Sequence, residues 1–200
     1  MTDGDSPFAG YEAVVYDLDG TLVELAVDWD AVAESVLDAY AERALIPPTE
    51  ELWGLLGAAD GYGIRAEVEE AIAVHERAGA SASTRLGLGD RLAAAFDGTD
   101  GDRAVSDSHP PAGVCSLNCE EACRIAVATH DLDDALVADA IVGRDTVGSA
   151  KPDPKSLFAA IDRLGVDPAN ALFVGDSRRD AVAAERGDVD FAWVADLLAE

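Results

Sequence analysis

Short, β-rich apolar runs alternate with helical stretches along the second half of this 200-residue chain, and few folds accommodate that order. Residues 112–115 read as a strand, 116–118 as a turn and about 119–129 as a helix. Strands at 140–142, 171–174 and 191–194 then enclose helices at 153–164 and 180–185. Near the other end, residues 12–16 form a further buried strand that runs abruptly into Asp17-Leu18-Asp19-Gly20-Thr21. The expected fold is α/β, a Rossmann-like doubly wound parallel sheet with helices on both faces. Ligands of such sheets sit at the carboxyl ends of the strands, where Asp17 and Asp19 fall.

No strand signal appears between residues 28 and 83. Asp28 is a natural N-cap for a helix over 29–44 that stops before Pro47-Pro48. Thr49-Glu50-Glu51-Leu52 has capping-box character and opens a second helix to about 59, and a third spans 64–78. These segments predict a small all-helical insertion at 28–83, with the core formed by 1–27 and 84–200. A helix at 87–96 is followed by an acidic, Gly/Pro-rich loop over 97–111, expected to be mobile.

Forty acidic residues stand against fourteen basic ones, a net charge of −26, which argues against nucleic acid as the main ligand. The acid is spread over the whole chain, as suits a salt-accumulating cytoplasm where screening relieves repulsion. No apolar run approaches the length of a membrane span, and the first residues lack the basic and apolar regions of a signal peptide. A cytoplasmic protein with no membrane or nucleic-acid partner is expected. Cys115, Cys119 and Cys123 fit neither zinc nor iron–sulfur spacing and read as buried small hydrophobes. His75, His109 and His130 show no ligand spacing either.

Four polar clusters fall on one edge of the expected sheet: Asp17/Asp19, Ser116, Lys151 and Asp176/Asp180. A carboxylate such as Asp17 can attack phosphorus directly and form an aspartyl-phosphate, which splits one hard displacement into two easier ones. Asp19, two residues along, can protonate the leaving oxygen and later deprotonate the attacking water. Anionic partners repel, so the chemistry calls for a divalent cation, and Mg²⁺ takes one or two carboxylates with waters and substrate oxygens. Asp17 and Asp176 are its expected side-chain ligands, with Asp180 a direct or water-mediated one. Ser116 and Lys151 offer the donors that a transferring phosphoryl group needs. Only one other lysine, Lys155, exists in the chain. Ser177 with Asp180 also reads as a capping box, and the two readings of Asp180 are compatible.

In this order the residues resemble the haloacid dehalogenase-like superfamily. The matching motifs are DxDGT at Asp17 to Thr21, a hydrophobic strand then Ser at Val114-Cys115-Ser116, Lys151-Pro152, and GDSxxD at Gly175 to Asp180. The resemblance covers nearly the whole chain. It implies a Mg²⁺-dependent, phosphoglycolate phosphatase-like enzyme acting on a small phosphorylated metabolite. It adds the backbone carbonyl of Asp19 to the metal site, and it makes the helical insertion a cap that closes over the site.

Within that cap, Trp29 and Trp53 read as core packing ahead of lining the closure. Arg43, Arg65, Arg77 and Arg85 are the cations open to a substrate's distal acid, whereas Arg178 and Arg179 are expected to be solvated. Thr21 and Asn118 read as loop-shaping residues. The second aspartate of DxD disfavours dehalogenation, and the lack of lysine before residue 151 closes a Schiff-base route. A sugar phosphomutase and a catalytically silent binding protein on the same fold stand as alternatives. The short cap leaves the substrate open, as the sequence does the oligomeric state.

Overall fold

The computed structural model describes residues 7–96 and 109–199. Among these, strands form at β1 (Ala13–Tyr16), β2 (Val23–Glu24), β3 (Thr84–Arg85), β4 (Ala112–Cys115), β5 (Ile141–Val142), β6 (Ala171–Gly175) and β7 (Asp190–Trp193). Five of them make one parallel sheet in the order β5-β4-β1-β6-β7, while β2 and β3 pair antiparallel in a separate ribbon. In the sheet Tyr16 is level with Val114 on one side and Val174 on the other. The chain leaves β1 for β4 and β5, then returns across to β6 and β7. The strand order therefore reverses beside β1, and the loops after β1 and β6 open into the crevice that this reversal creates. Asp17 and Asp176 leave those two strand ends.

Helices α1 (Trp29–Glu42), α2 (Leu52–Tyr62) and α3 (Arg65–Ser81) precede β3, and α4 (Gly87–Phe96) follows it. Helices α5 (Glu120–Thr129), α6 (Lys155–Leu164), α7 (Arg178–Gly187) and α8 (Val194–Leu198) complete the chain. Strands covered on both faces read as continuous apolar runs, and β1, β4 and β6 are buried at every position. The two-residue pleat then sorts their side chains. Val14, Tyr16, Leu172 and Val174 share a core with Leu88 of α4, Ala126 of α5 and Leu197 of α8. Val15, Cys115 and Phe173 pack on the opposite face against Leu157 and Ile161 of α6 and Ala184 of α7. The doubly wound α/β expectation holds.

Helices α1 to α3 enclose a separate apolar cluster that includes Val32, Val36, Tyr40, Leu55, Ile64, Val68 and Ile72. Asp28 caps α1 as expected, its carboxylate accepting from the N–H groups of Asp30 at 3.1 Å and Ala31 at 3.2 Å. Helix α3 is double-sided, because its Ala73 and Ala80 belong to the sheet-side core instead. Close approach needs small residues here. A Cβ on Gly79 would lie 2.4 Å from Val27 Cγ2.

Several local expectations are corrected. The capping box at Thr49 does not form: Glu51 is the N-cap of α2, and Thr49 Oγ1 accepts from Glu51 N–H at 3.1 Å. Helix α3 runs on to Ser81. Ala140 closes a 3-10 turn (Ala138–Ala140) ahead of β5. Val194 opens α8 where a strand was expected, and neither α8 nor the β2–β3 ribbon was foreseen, since such short elements carry no periodicity. Of the acidic loop, residues 97–108 lie outside the described residues. Among the described residues no helix is long and apolar enough to cross a membrane.

Candidate active site

Asp17 extends the sheet by one hydrogen bond, its N–H donating to Val174 O at 2.8 Å, before the chain turns away. Leu18 N–H then donates to Asp17 Oδ1 at 2.7 Å. The turn depends on Gly20, whose φ of 82° is open to glycine and strained for other residues. A Cβ there would also stand 2.3 Å from Asp176 Oδ2, so the missing side chain lets the loops after β1 and β6 touch. The Asp19 carboxylate accepts from Leu25 N–H at 2.8 Å. Thr21 is fully buried within the same turn.

Lys151, from the loop between β5 and α6, is buried with its Nζ 2.9 Å from Asp17 Oδ1 and 2.5 Å from Asp180 Oδ1. These are close, buried ion pairs. The same ammonium lies 5.5 Å from the centre of the Phe173 ring. Asp180 does two jobs with its two oxygens. Oδ2 accepts from Ser177 N–H at 3.0 Å and Ser177 Oγ at 2.5 Å in the capping box of α7, while Oδ1 faces the lysine.

One carboxylate oxygen from each of Asp17, Asp176 and Asp180 lies within 4.8 Å of the others, a hard-oxygen set suited to a divalent cation. The Asp19 carboxylate is not one of the three. Burial pushes the Asp17 carboxyl up to about 7 even though Lys151 pulls it down. Burial likewise raises Asp19 to about 6 against the bond from Leu25. Asp176 is raised by burial and then by the charge of Asp180. Burial opposes the charge on Lys151, but Asp17 and Asp180 together override it and hold the ammonium firmly protonated.

Ser116 leaves β4, the strand beside β1, with its N–H donating to Val142 O at 2.9 Å. Its hydroxyl donates to Asn118 Oδ1 at 3.0 Å and accepts from Asn118 N–H at 3.2 Å, so the two side chains fix one another. Behind them lies a pair that sequence reasoning missed. Arg144, fully buried after β5, makes a double contact with Glu76 of α3, Nη1 to Oε1 at 2.7 Å and Nη2 to Oε2 at 3.2 Å. Its Nε also donates to Glu69 Oε2 at 2.8 Å. The available hint was Glu76 itself, an acid at helical spacing with Ile72, Ala73 and Ala80 on a buried face.

Trp53 packs against the apolar cluster of α1 to α3 as expected, whereas Trp29 does not. Trp29 is 37% exposed, and its ring lies 6.2 Å from that of half-buried Trp53. Over the Trp53 ring stand the guanidinium carbons of Arg144 at 5.9 Å and of Arg179 at 5.5 Å. The four candidate cations are each paired with an acid: Arg43 with Glu67, Arg65 with Asp60 and Glu69, Arg77 with Glu70 and Glu121, and Arg85 with Asp90. All three cysteines are buried free thiols, and burial pushes Cys115 up to about 11, far from thiolate chemistry.

Residues 11–188 match the haloacid dehalogenase-like hydrolase family, and the chain belongs to it. A hydrolase, therefore, is what fold and site together define. Over 194 residues the chain is 29% identical to phosphoglycolate phosphatase 1 of Pseudomonas aeruginosa, covering 88% of this chain and 66% of that one. It is 31% identical over 176 residues to N-acetylmuramic acid 6-phosphate phosphatase of Pseudomonas putida, covering 84% of this chain and 75% of the other. In fold it is similar to CbbY from Rhodobacter sphaeroides, solved in complex with phosphate, with a TM-score of 0.59 at 18% identity over 92% of this chain and 85% of that one.

Proposed function

We propose that this chain is a Mg²⁺-dependent phosphatase that hydrolyses a small phosphorylated metabolite through an aspartyl-phosphate on Asp17. The observation that carries the reading is the Asp17 carboxylate itself. It is buried at the end of β1, ion-paired to Lys151 at 2.9 Å and clustered with Asp176 and Asp180. The names of the two phosphatase relatives support a phosphoester as substrate.

In the first half-reaction an Asp17 carboxylate oxygen bonds to phosphorus as the ester P–O bond breaks, and Asp19 gives its proton to the leaving oxygen. Water then bonds to phosphorus and passes a proton to Asp19, and the acyl phosphate breaks to restore the Asp17 carboxylate and free inorganic phosphate. Lys151 and Ser116, with backbone N–H groups, hold the transferring phosphoryl oxygens. Asp17, Asp176 and Asp180, with the carbonyl of Asp19, would hold Mg²⁺. The fit rests on the oxygen-only donor set and on the burial that, with the charge of Asp180 after it, raises Asp17 and Asp176. When bound, the ion supplies the counter-charge that lets one anion approach another.

Residues 28–83 are proposed as the cap over a core of 1–27 and 84–200. Trp53 supports this reading, because it touches Arg144 after β5 and Arg179 after β6, strands that flank β4 and β1 in the sheet. An aromatic spanning those two loops roofs the end of β1 and keeps water from the reacting group. The dispersed acid fits a cytoplasm rich in salt. The test is release of phosphate from 4-nitrophenyl phosphate with Mg²⁺ in molar KCl, abolished in Asp17→Asn. No release from any phosphate ester would overturn the reading, and sugar-phosphate interconversion without net release would replace it with the mutase.

A further inference from the structure

We propose that Glu76, contributed by α3 of the helical insertion, is a positioning residue that sets the phosphate-binding loop after β4. The inference rests on reading Ser116 as a phosphate ligand. Glu76 is fully buried, and both of its oxygens are engaged by that loop. Oε2 accepts from Cys119 N–H at 3.0 Å, and Oε1 accepts from Asn118 Nδ2 at 3.4 Å. Arg144 supplies the counter-charge and adds a contact of its own, Nη1 donating to Leu117 O at 2.6 Å, while its N–H donates to Asn118 O at 2.9 Å. Leu117, Asn118 and Cys119 are thus held by one buried ion pair, and Asn118 passes that order on to the Ser116 hydroxyl.

Cohesion alone does not call for such a pair. Two buried charges lose their hydration, and apolar side chains of similar volume hold helices together at least as well. What an apolar contact cannot do is fix the rotation of an amide and a hydroxyl. Because Glu76 comes from the insertion and Ser116 from the sheet, the loop takes its ordered form only when α3 is docked. The phosphate site and the docking of α3 are in this way one unit.

The test compares inorganic phosphate binding in the presence of Mg²⁺, by equilibrium dialysis, for the whole chain and for Glu76→Gln, Glu76→Asp and Asn118→Ala, with melting temperature followed in parallel. Glu76→Gln is expected to weaken phosphate about tenfold, the size of one lost hydrogen bond to a charged group. Asn118→Ala, which leaves the ion pair in place, is expected to weaken phosphate to a similar degree with a smaller loss of melting temperature, and Glu76→Asp to recover part of the affinity. Unaltered phosphate affinity in folded Glu76→Gln overturns the proposal. If that variant does not fold, Asn118→Ala decides: unchanged affinity overturns the proposal, and weakened affinity supports it. Phosphate binding needs no turnover, so a chain that binds phosphate through this loop yet cleaves no ester sinks the phosphatase reading alone.

Discussion

Lys151 Nζ stands nearer to Asp180 Oδ1, at 2.5 Å, than to Asp17 Oδ1, at 2.9 Å, so one ammonium serves two buried carboxylates. Removing it strands both. Lys151→Met is expected to lower stability by about 3 kcal/mol in EDTA, the low end for breaking a buried pair because a carboxyl can take up a proton instead. Millimolar Mg²⁺ is expected to restore part of the loss. Urea unfolding with and without the ion checks both, and an unchanged midpoint in EDTA would contradict the ion-pair account.

Asp19→Asn removes the proposed proton donor while leaving an acceptor for Leu25 N–H. The expected loss in kcat is about 10²- to 10⁴-fold for an alkyl phosphate, whose leaving oxygen needs a proton. For 4-nitrophenyl phosphate, whose phenolate leaves unaided, the loss is expected to be smaller. Equal losses on the two substrates would take Asp19 out of the acid role.

His109 offers a test that is independent of catalysis. Its Nδ1 is 2.7 Å from Pro110 O and its Nε2 is 2.9 Å from the Tyr16 hydroxyl, with Phe8 and Phe96 against the ring. Burial holds the imidazole below its usual value of 6.5. The unfolded chain therefore binds the extra proton more readily, so this stabilising contribution is complete above about pH 6.5 and lost as pH falls through that value toward the folded one. The melting-temperature gap between the whole chain and His109→Gln should accordingly shrink from pH 8 to pH 5. A gap that stays constant would show that the ring does not titrate in this way.

Salt should raise the melting temperature. Exposed pairs such as Arg43–Glu67 and Arg124–Glu120 contribute little, so screening them sacrifices little. Screening the repulsion among forty acids opposed by fourteen cations gains more. A melting temperature that falls between about 0.1 M and about 2 M KCl would refute the halophilic reading.

The sheet was largely legible from sequence because β1, β4 and β6 are buried on both faces and therefore stand out as apolar runs. With those strands in place, the positions of Asp17, Ser116 and Asp176 follow from where each run stops. Contacts made only by docking were not legible. Glu76 and Arg144 are 68 residues apart, and nothing local in either stretch announces the other. Trp53 shows the same limit, since its spacing suits a core position and only the packed molecule places two guanidinium groups over its ring. At Thr49 a local signal was present and lost, because α2 begins two residues later than the motif suggests.

The β2–β3 ribbon has a consequence for how this chain can be re-engineered. Val23 is paired with Arg85 and Glu24 with Thr84, so the path into the helical layer and the path out of it run side by side. Helices grafted between those paired residues would leave β1 and the strand order undisturbed. The exchangeable piece is nevertheless shorter than the whole insertion, because Ala73, Glu76 and Ala80 tie α3 to the sheet side. The natural seam for a chimera is Gly63, whose left-handed turn at φ 69° separates α2 from α3. Swapping what precedes it would exchange most of the proposed cap while keeping the contacts of α3 with the loop after β4.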